Sequence, residues 1–582
     1  MNRKERRAAL KQSPPGVGHR VPPAGDSIGH LYAEAMRSQQ QNQVPDATRL
    51  YKRLLVLMPD HAEAHNNLGR LLHAQGKLNE ASAHFAQALA LMPHLFDQFH
   101  GICGTLVGVL PPIGQALRRT VAAWPKRATI NQLLGSAGLA AIATDPLLLC
   151  VLQSTPVRDV ALERLLTSLR LSLLEAATDG KTDEVALGFC CALAKQCFIN
   201  EYVFATTPAE EAQVERLKAA LGDASATGAT ILPISLTAIA MYQPLHALPD
   251  AHVLLDRSWP LVVDDVLTQQ LREPWQERLL RSSIPQLTPI EDDVSQRVRQ
   301  QYEENPYPRW VNVAGGVEPI AIDQYLRGMF PAAAFAPLAK TEALDVLVAG
   351  CGTGWHTIGV AQRHRDAQVL AVDLSLSSLC FAKRMTPAPL SERITYVQGD
   401  ILNLGAIGRS FDVVDASGVL HHMADPIEGW RILLTLLRPG GFMHLGFYSE
   451  FGRRDVVAAR AFIAERGYAP TPADIRRCRQ DLLETPLRSV ARFSDFFSTS
   501  ECRDLLFHVQ ERRMTIPAIK AFIAEHRLKF IGFEFDQATL QKYRALFADA
   551  GWSMSDLDRW HAVETKYPDT FSGMYQLWLQ KN

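Results

Sequence analysis

Leu344-Asp345-Val346-Leu347-Val348-Ala349-Gly350-Cys351-Gly352-Thr353-Gly354-Trp355 reads as a buried β-strand that breaks into a glycine turn and reopens as a helix. The apolar and β-branched run before Gly350 suits a central strand, and helical spacing begins at Trp355. Further on, QVLAVD (368–373), ITYVQGD (394–400), FDVVDAS (411–417) and FMHLGFY (442–448) repeat the strand signal, with Gly440-Gly441 before the last. Helix-length segments separate these runs. The alternation predicts a parallel, doubly wound α/β sheet.

The glycine spacing discriminates between ligands. A dinucleotide turn, GxGxxG, needs its third glycine at 355, where Trp355 stands, whereas GxGxG fits the methionine and ribose end of S-adenosylmethionine. Small residues here let the backbone approach a ligand, and the helix N-terminus offers amide hydrogens. Asp373 ends the second strand, 19 residues beyond Gly354, where a carboxylate accepts from both ribose hydroxyls. Asp400 ends the third strand and is expected to receive the adenine amino group, with Ile401 packed on the ring. The fourth strand runs out into ASGVLHHMADP. All four features fall at strand carboxyl ends, where open α/β sheets bind ligands.

VLVAGCGTG, AVD, QGD, VVDASGVLHHMADP and LLRPGGF together resemble the class I S-adenosylmethionine-dependent methyltransferases, in particular the small-molecule methylating type with a VLHH segment. The likeness covers about 110 of the 582 residues. It implies a Rossmann-like, mostly parallel sheet with an antiparallel terminal strand, S-adenosylmethionine as cofactor, and cofactor contacts at Gly350, Gly352, Gly354, Asp373 and Asp400, with Ser417 and Val419 close by. On this fold LKFIGFEF (528–535) and GMYQLWLQ (573–580) are expected to be the antiparallel closing pair, so that 451–527 is a helical insertion in a domain whose core is 341–450. Trp355 is bulkier than the family's usual residue, while Cys351 is one it tolerates.

Methyl transfer from a sulfonium is an in-line displacement that rests on alignment and needs a base only when the attacking atom carries a proton. His421 and His422, after the fourth strand, are the candidates for that base or for a substrate ligand. Asp415 is not among them, because strand alternation points it elsewhere. Before the core, RQQYEENPYPRW (299–310) runs an aromatic, acidic helix end into prolines. Tyr302, Tyr307 and Arg309 are candidates to cap the cofactor or the substrate, within a proline-rich linker over 291–340.

A shift of 34 residues superposes Ala35 on Gly69, Ala47 on Ala81, Tyr51 on Phe85 and Pro59 on Pro93. Residues 28–95 thus resemble two tetratricopeptide repeats, the first degenerate at Glu34 and Ser38. A basic tail is expected over 1–27, and a helix-rich region without a catalytic signature over 96–290. Sixty basic against sixty-one acidic side chains offer no field for nucleic acid. Nine scattered cysteines without CxxC spacing predict free thiols in a reducing, cytoplasmic setting and no metal centre. The apolar run 134–152 is broken by Asp145-Pro146, which argues against a membrane span. Three functions fit: a methyltransferase acting on a protein recruited by the repeats, a small-molecule methyltransferase with the repeats as scaffold, or a non-catalytic binder of the cofactor.

Overall fold

The LDVLVAG run forms β1 (Asp345–Ala349), and its alternation sends Val346 and Val348 to one face and Leu347 and Ala349 to the other, all buried. In the computed structural model, which describes residues 28–41, 43–92, 95, 107–108, 111–180, 183–313, 318–338, 343–535, 539–541, 543–544 and 553–582, six more strands join it. They are β2 (Gln368–Asp373), β3 (Ile394–Gln398), β4 (Phe411–Ser417), β5 (Leu437–Phe447), β6 (Lys529–Phe533) and β7 (Tyr575–Gln580). Their order is β3-β2-β1-β4-β5-β7-β6, the first five parallel and β7 antiparallel to both of its neighbours. The sheet and its closing pair are those expected from the sequence. β5 begins earlier than the FMHLGFY run because Leu437 already pairs with Phe411, with a register shift before Val413.

Both faces are covered, as a parallel sheet requires. One core gathers Leu347, Val372, Val414 and Leu445 with Trp430 and Phe522, and the other gathers Val346, Ala371 and Phe442 with Ile358 and Trp578. Between β5 and β6 lies the insertion, with helices Arg454–Arg466, Pro472–Leu483, Thr499–Phe507 and Ile516–Glu525.

Residues 96–582 cluster as one compact unit, so the upstream helical region shares the body of the sheet domain. Its bolt is Arg479 of the insertion, fully buried, which donates to both oxygens of Glu163 at 2.7 and 3.1 Å and to the carbonyls of Val203 and Phe496. Nearby, Glu201 and Tyr202 adopt positive φ values of 54° and 60°, and the Glu201 carboxylate accepts the Ser500 N–H at 2.6 Å. That bond fastens the first turn of the Thr499–Phe507 helix.

The first unit ends at Leu95, and its described residues form four helices, α1 (Ile28–Gln40), α2 (Val44–Leu57), α3 (Ala62–Ala74) and α4 (Leu78–Leu91). A Cβ on Gly69 would meet the Phe85 ring at 3.1 Å, which is why a small residue recurs where paired helices touch. The basic tail expected over 1–27, Pro93 and Cys103 lie outside the described residues. Among those described, no single helix is long and apolar enough to cross a membrane. The apolar run bends by 97° between Ile130–Ala141 and Pro146–Ser154, where Asp145 caps the second helix.

Candidate active site

The carboxyl ends of β1 to β4 open on a cleft of about 340 Å³. Gly350 and Gly352 line it, both with positive φ. A Cβ would lie 2.3 Å from Val419 at the first and 2.8 Å from the Tyr307 carbonyl at the second. Gly354 has the same backbone signature but does not line the cleft. Its bare Cα lets the Trp355–Arg363 helix approach Ala382, whose Cβ a new methyl would meet at 2.6 Å.

Asp373 faces the cleft while its two oxygens accept the Gly352 and Ser375 N–H groups at 2.7 and 2.8 Å. Burial outweighs these bonds and pushes its ionisation up to about 6. Asp400 also lines the cleft and is buried, which raises its ionisation too. One of its oxygens accepts the Leu402 N–H at 3.0 Å, the Ser295 side chain favours its charged form, and the second oxygen has no hydrogen-bond donor within 3.5 Å among the described residues. Ile401, Ser417 and Val419 complete this side, Ser417 donating to Gln576 at 2.8 Å.

The cap forms where the Asp293–Glu304 helix runs into the prolines. Glu303 takes the Ser377 N–H and hydroxyl at the N-terminus of the Leu376–Met385 helix, and Ser375 donates to the Tyr302 carbonyl at 3.0 Å. Tyr302 and Tyr307 are thereby held over the cleft, their rings 6.3 Å apart. Arg309 is directed away from it, into a second cavity of about 300 Å³, where it pairs with Glu201 at 3.8 Å and lies over Phe198. Between them Trp310 donates to the Thr353 carbonyl and hydroxyl at 3.2 Å and ties the cap to the glycine turn.

The two adjacent histidines part company on the short Leu420–His422 turn. His422 lines the cleft, whereas His421 is buried against Tyr448, ring centroids 3.9 Å apart, and does not. The His422 Nδ1 contacts the Gln510 carbonyl at 2.9 Å, so Nδ1 carries the hydrogen and Nε2 keeps its lone pair. Burial lowers its pKa to about 4.

Opposite stands a cluster to which no motif pointed. Tyr302 donates to Asp504 at 2.6 Å, and His508 lies 3.1 Å from the same hydroxyl. The His508 Nδ1 accepts the Gln510 N–H, so its Nε2 bears hydrogen and offers no lone pair to a metal ion. Asp504 and His508 sit in the insertion, where helical periodicity gives no hint of them. Asp415 lies outside the cleft, on a face of the sheet. There His356 and its cross-strand neighbour His444 contact one oxygen at 2.8 and 3.0 Å, and despite burial these imidazoles hold the carboxyl well below its usual range.

Residues 346–441 match the methyltransferase domain family, and residues 62–95 match the tetratricopeptide repeat. The chain carries a class I S-adenosylmethionine-dependent methyltransferase domain. S-adenosylmethionine is the cofactor of that domain, and the unpartnered Asp400 oxygen beside Ile401 fits it, being an acceptor without a donor at the place expected for adenine. The methyltransferase domain is similar to malonyl-[acyl-carrier protein] O-methyltransferase of Halalkalibacterium halodurans, 31% identical over 117 residues, which are 20% of this chain and 41% of that one. An uncharacterized protein of Synechococcus sp. is 26% identical over 316 residues, 50% of this chain and 73% of its own. Among solved structures, PKMT2 from Rickettsia typhi is 17% identical with a TM-score of 0.34, over 44% of this chain and 52% of that one. The chain thus spans less than half of the named methyltransferase and about half of PKMT2.

Proposed function

We propose that this protein transfers the methyl group of S-adenosylmethionine to an acceptor bound between His422 and the Tyr302 cap. The observation that carries the reading is the pair of strand-end carboxylates on one cleft, Asp373 beside the glycine turn and Asp400 with a free acceptor oxygen. Asp373 is assigned to the ribose hydroxyls, Asp400 to the adenine amino group, Ile401 to the ring face, and Gly350, Gly352, Ser417 and Val419 to the walls; Gly354 acts by admitting the helix. When bound, the cofactor supplies an electrophilic methyl on a sulfonium. The chain's own part is to align and to shield. Tyr302 and Tyr307 cover the cleft, and His422, neutral at pH 7, holds a lone pair able to take the acceptor's proton.

For the acceptor, the first choice is a protein brought by the tetratricopeptide pairs, since such helical pairs present surfaces for peptide segments. A small-molecule acceptor is the second reading, favoured by the 34% identity over 122 residues to a protein named 27-O-demethylrifamycin SV methyltransferase. The described cysteines are all free thiols, in keeping with a reducing cytoplasm. Incubation of the purified chain with methyl-labelled S-adenosylmethionine and a lysate of the source cell, separated by size, tests this. Label in protein supports the first acceptor, label in small molecules the second, and label in neither contradicts methyl transfer.

A further inference from the structure

Asp504 is a carboxylate to which no cation is bonded among the described residues. It is 1% exposed and lines the cofactor cleft, and it receives one bond, from Tyr302. Its second oxygen has no partner among the described residues. The two arginines whose charge reaches it bond another group: Arg453 and Arg460 donate to the Glu511 carboxylate at 2.7 and 3.1 Å. The histidines around it, His508 at 3.8 Å and His422 at 4.0 Å, are kept uncharged by burial. A buried carboxylate left in this state costs several kcal/mol unless a ligand completes it.

Resting on the methyl-transfer reading above, we propose that Asp504 binds the methyl acceptor as an ammonium, so that the acceptor is an amine, and that His422 removes the proton that frees its nitrogen. The placement suits both tasks, since the carboxylate and the His422 lone pair stand 4.0 Å apart on one wall of the cleft. The ammonium gives one proton to Nε2 of His422 and becomes a neutral amine. Its lone pair forms the new N–C bond while the electron pair of the breaking C–S bond stays on sulfur, leaving a thioether and a methylated ammonium that Asp504 still balances. The proton on His422 returns to water when the cleft opens.

Three cofactor analogues test this without turnover. Each replaces the sulfonium by a tertiary amine, which bears an aminoethyl, a hydroxyethyl or a propyl arm in place of the methyl. They are titrated calorimetrically into the full chain and into Asp504→Asn, with S-adenosylhomocysteine as the armless control. The aminoethyl analogue is expected to bind at least about tenfold more tightly than the propyl one, from one charged hydrogen bond. Asp504→Asn should erase that difference and leave S-adenosylhomocysteine within about threefold. Equal binding of the aminoethyl and propyl arms, or preference for hydroxyethyl, would overturn the proposal on the native chain alone, whether or not the variant folds. So would an equal loss of S-adenosylhomocysteine in Asp504→Asn, because the carboxylate would then serve the cofactor. Failure of S-adenosylhomocysteine to bind the native chain would strike at the methyl-transfer reading itself.

Discussion

The Tyr302 hydroxyl donates to the Asp504 carboxylate at 2.6 Å across 202 residues of chain, and this bond joins the segment ahead of the sheet to the insertion behind it. Removing the donor leaves a buried carboxylate with no hydrogen-bond donor among the described residues. Tyr302→Phe is expected to lose about 1.5–3 kcal/mol of stability, measured by urea denaturation at pH 8. The Asp504 ionisation, already pushed up to about 6 by burial, should rise further, because the Tyr302 bond lowers it more than the charge of either Arg453 or Arg460 does. A stability unchanged within error would mean the bond contributes nothing.

Of the two histidines, only His422 reaches the cleft. His422→Gln should lower kcat by roughly 10²–10⁴-fold with the KM for S-adenosylmethionine little changed. His421→Phe keeps the stack on Tyr448 and should change kcat far less. Comparable losses in both variants would count against His422 as the base.

Acid should weaken cofactor binding. Asp373 ionises at about 6 in the fold, above the roughly 3.9 of a free carboxyl. Its raised value means that the charged form costs stability above pH 6 and that protonation relieves it as pH falls. Hydroxyl donors need the charged form, so affinity for S-adenosylmethionine should be flat from pH 7 to 8 and fall from pH 6 to 5. In Asp373→Asn the affinity should be weak and independent of pH over that range. A profile in the native chain that does not bend near 6 would exclude this role.

Arg479 and Glu163 form a buried pair in which loss of one member strands the other. Arg479→Met is expected to cost about 3–5 kcal/mol, and the double variant with Glu163→Leu to recover most of it. Equilibrium unfolding of the two variants and the parent measures this. A double variant no better than the single one would place the loss in the carbonyl contacts of Arg479 instead.

Features written locally in the chain were readable from it. Each of β1 to β4 has a cleft-lining residue at or just past its carboxyl end, so Gly350, Asp373, Asp400 and Ser417 could be placed on the cleft by counting. Asp504 could not be, because its meaning arises only when Tyr302, 202 residues away, packs against it. The parting of His421 from His422 depends on how the Leu420–His422 turn winds, and that of Arg309 from Tyr307 on a second cavity built partly from the upstream helices. The motif glycines were also not equivalent. Gly354 serves helix packing, which spacing alone does not distinguish from a ligand contact.

Calorimetric titration of the full chain with S-adenosylmethionine, repeated on Asp400→Ala, tests the central claim most directly. The expected result is one binding site in the native chain and a loss of roughly tenfold to hundredfold in the variant, the worth of one hydrogen bond to a buried carboxylate. No heat of binding in the native chain, or equal affinity in both, would contradict it.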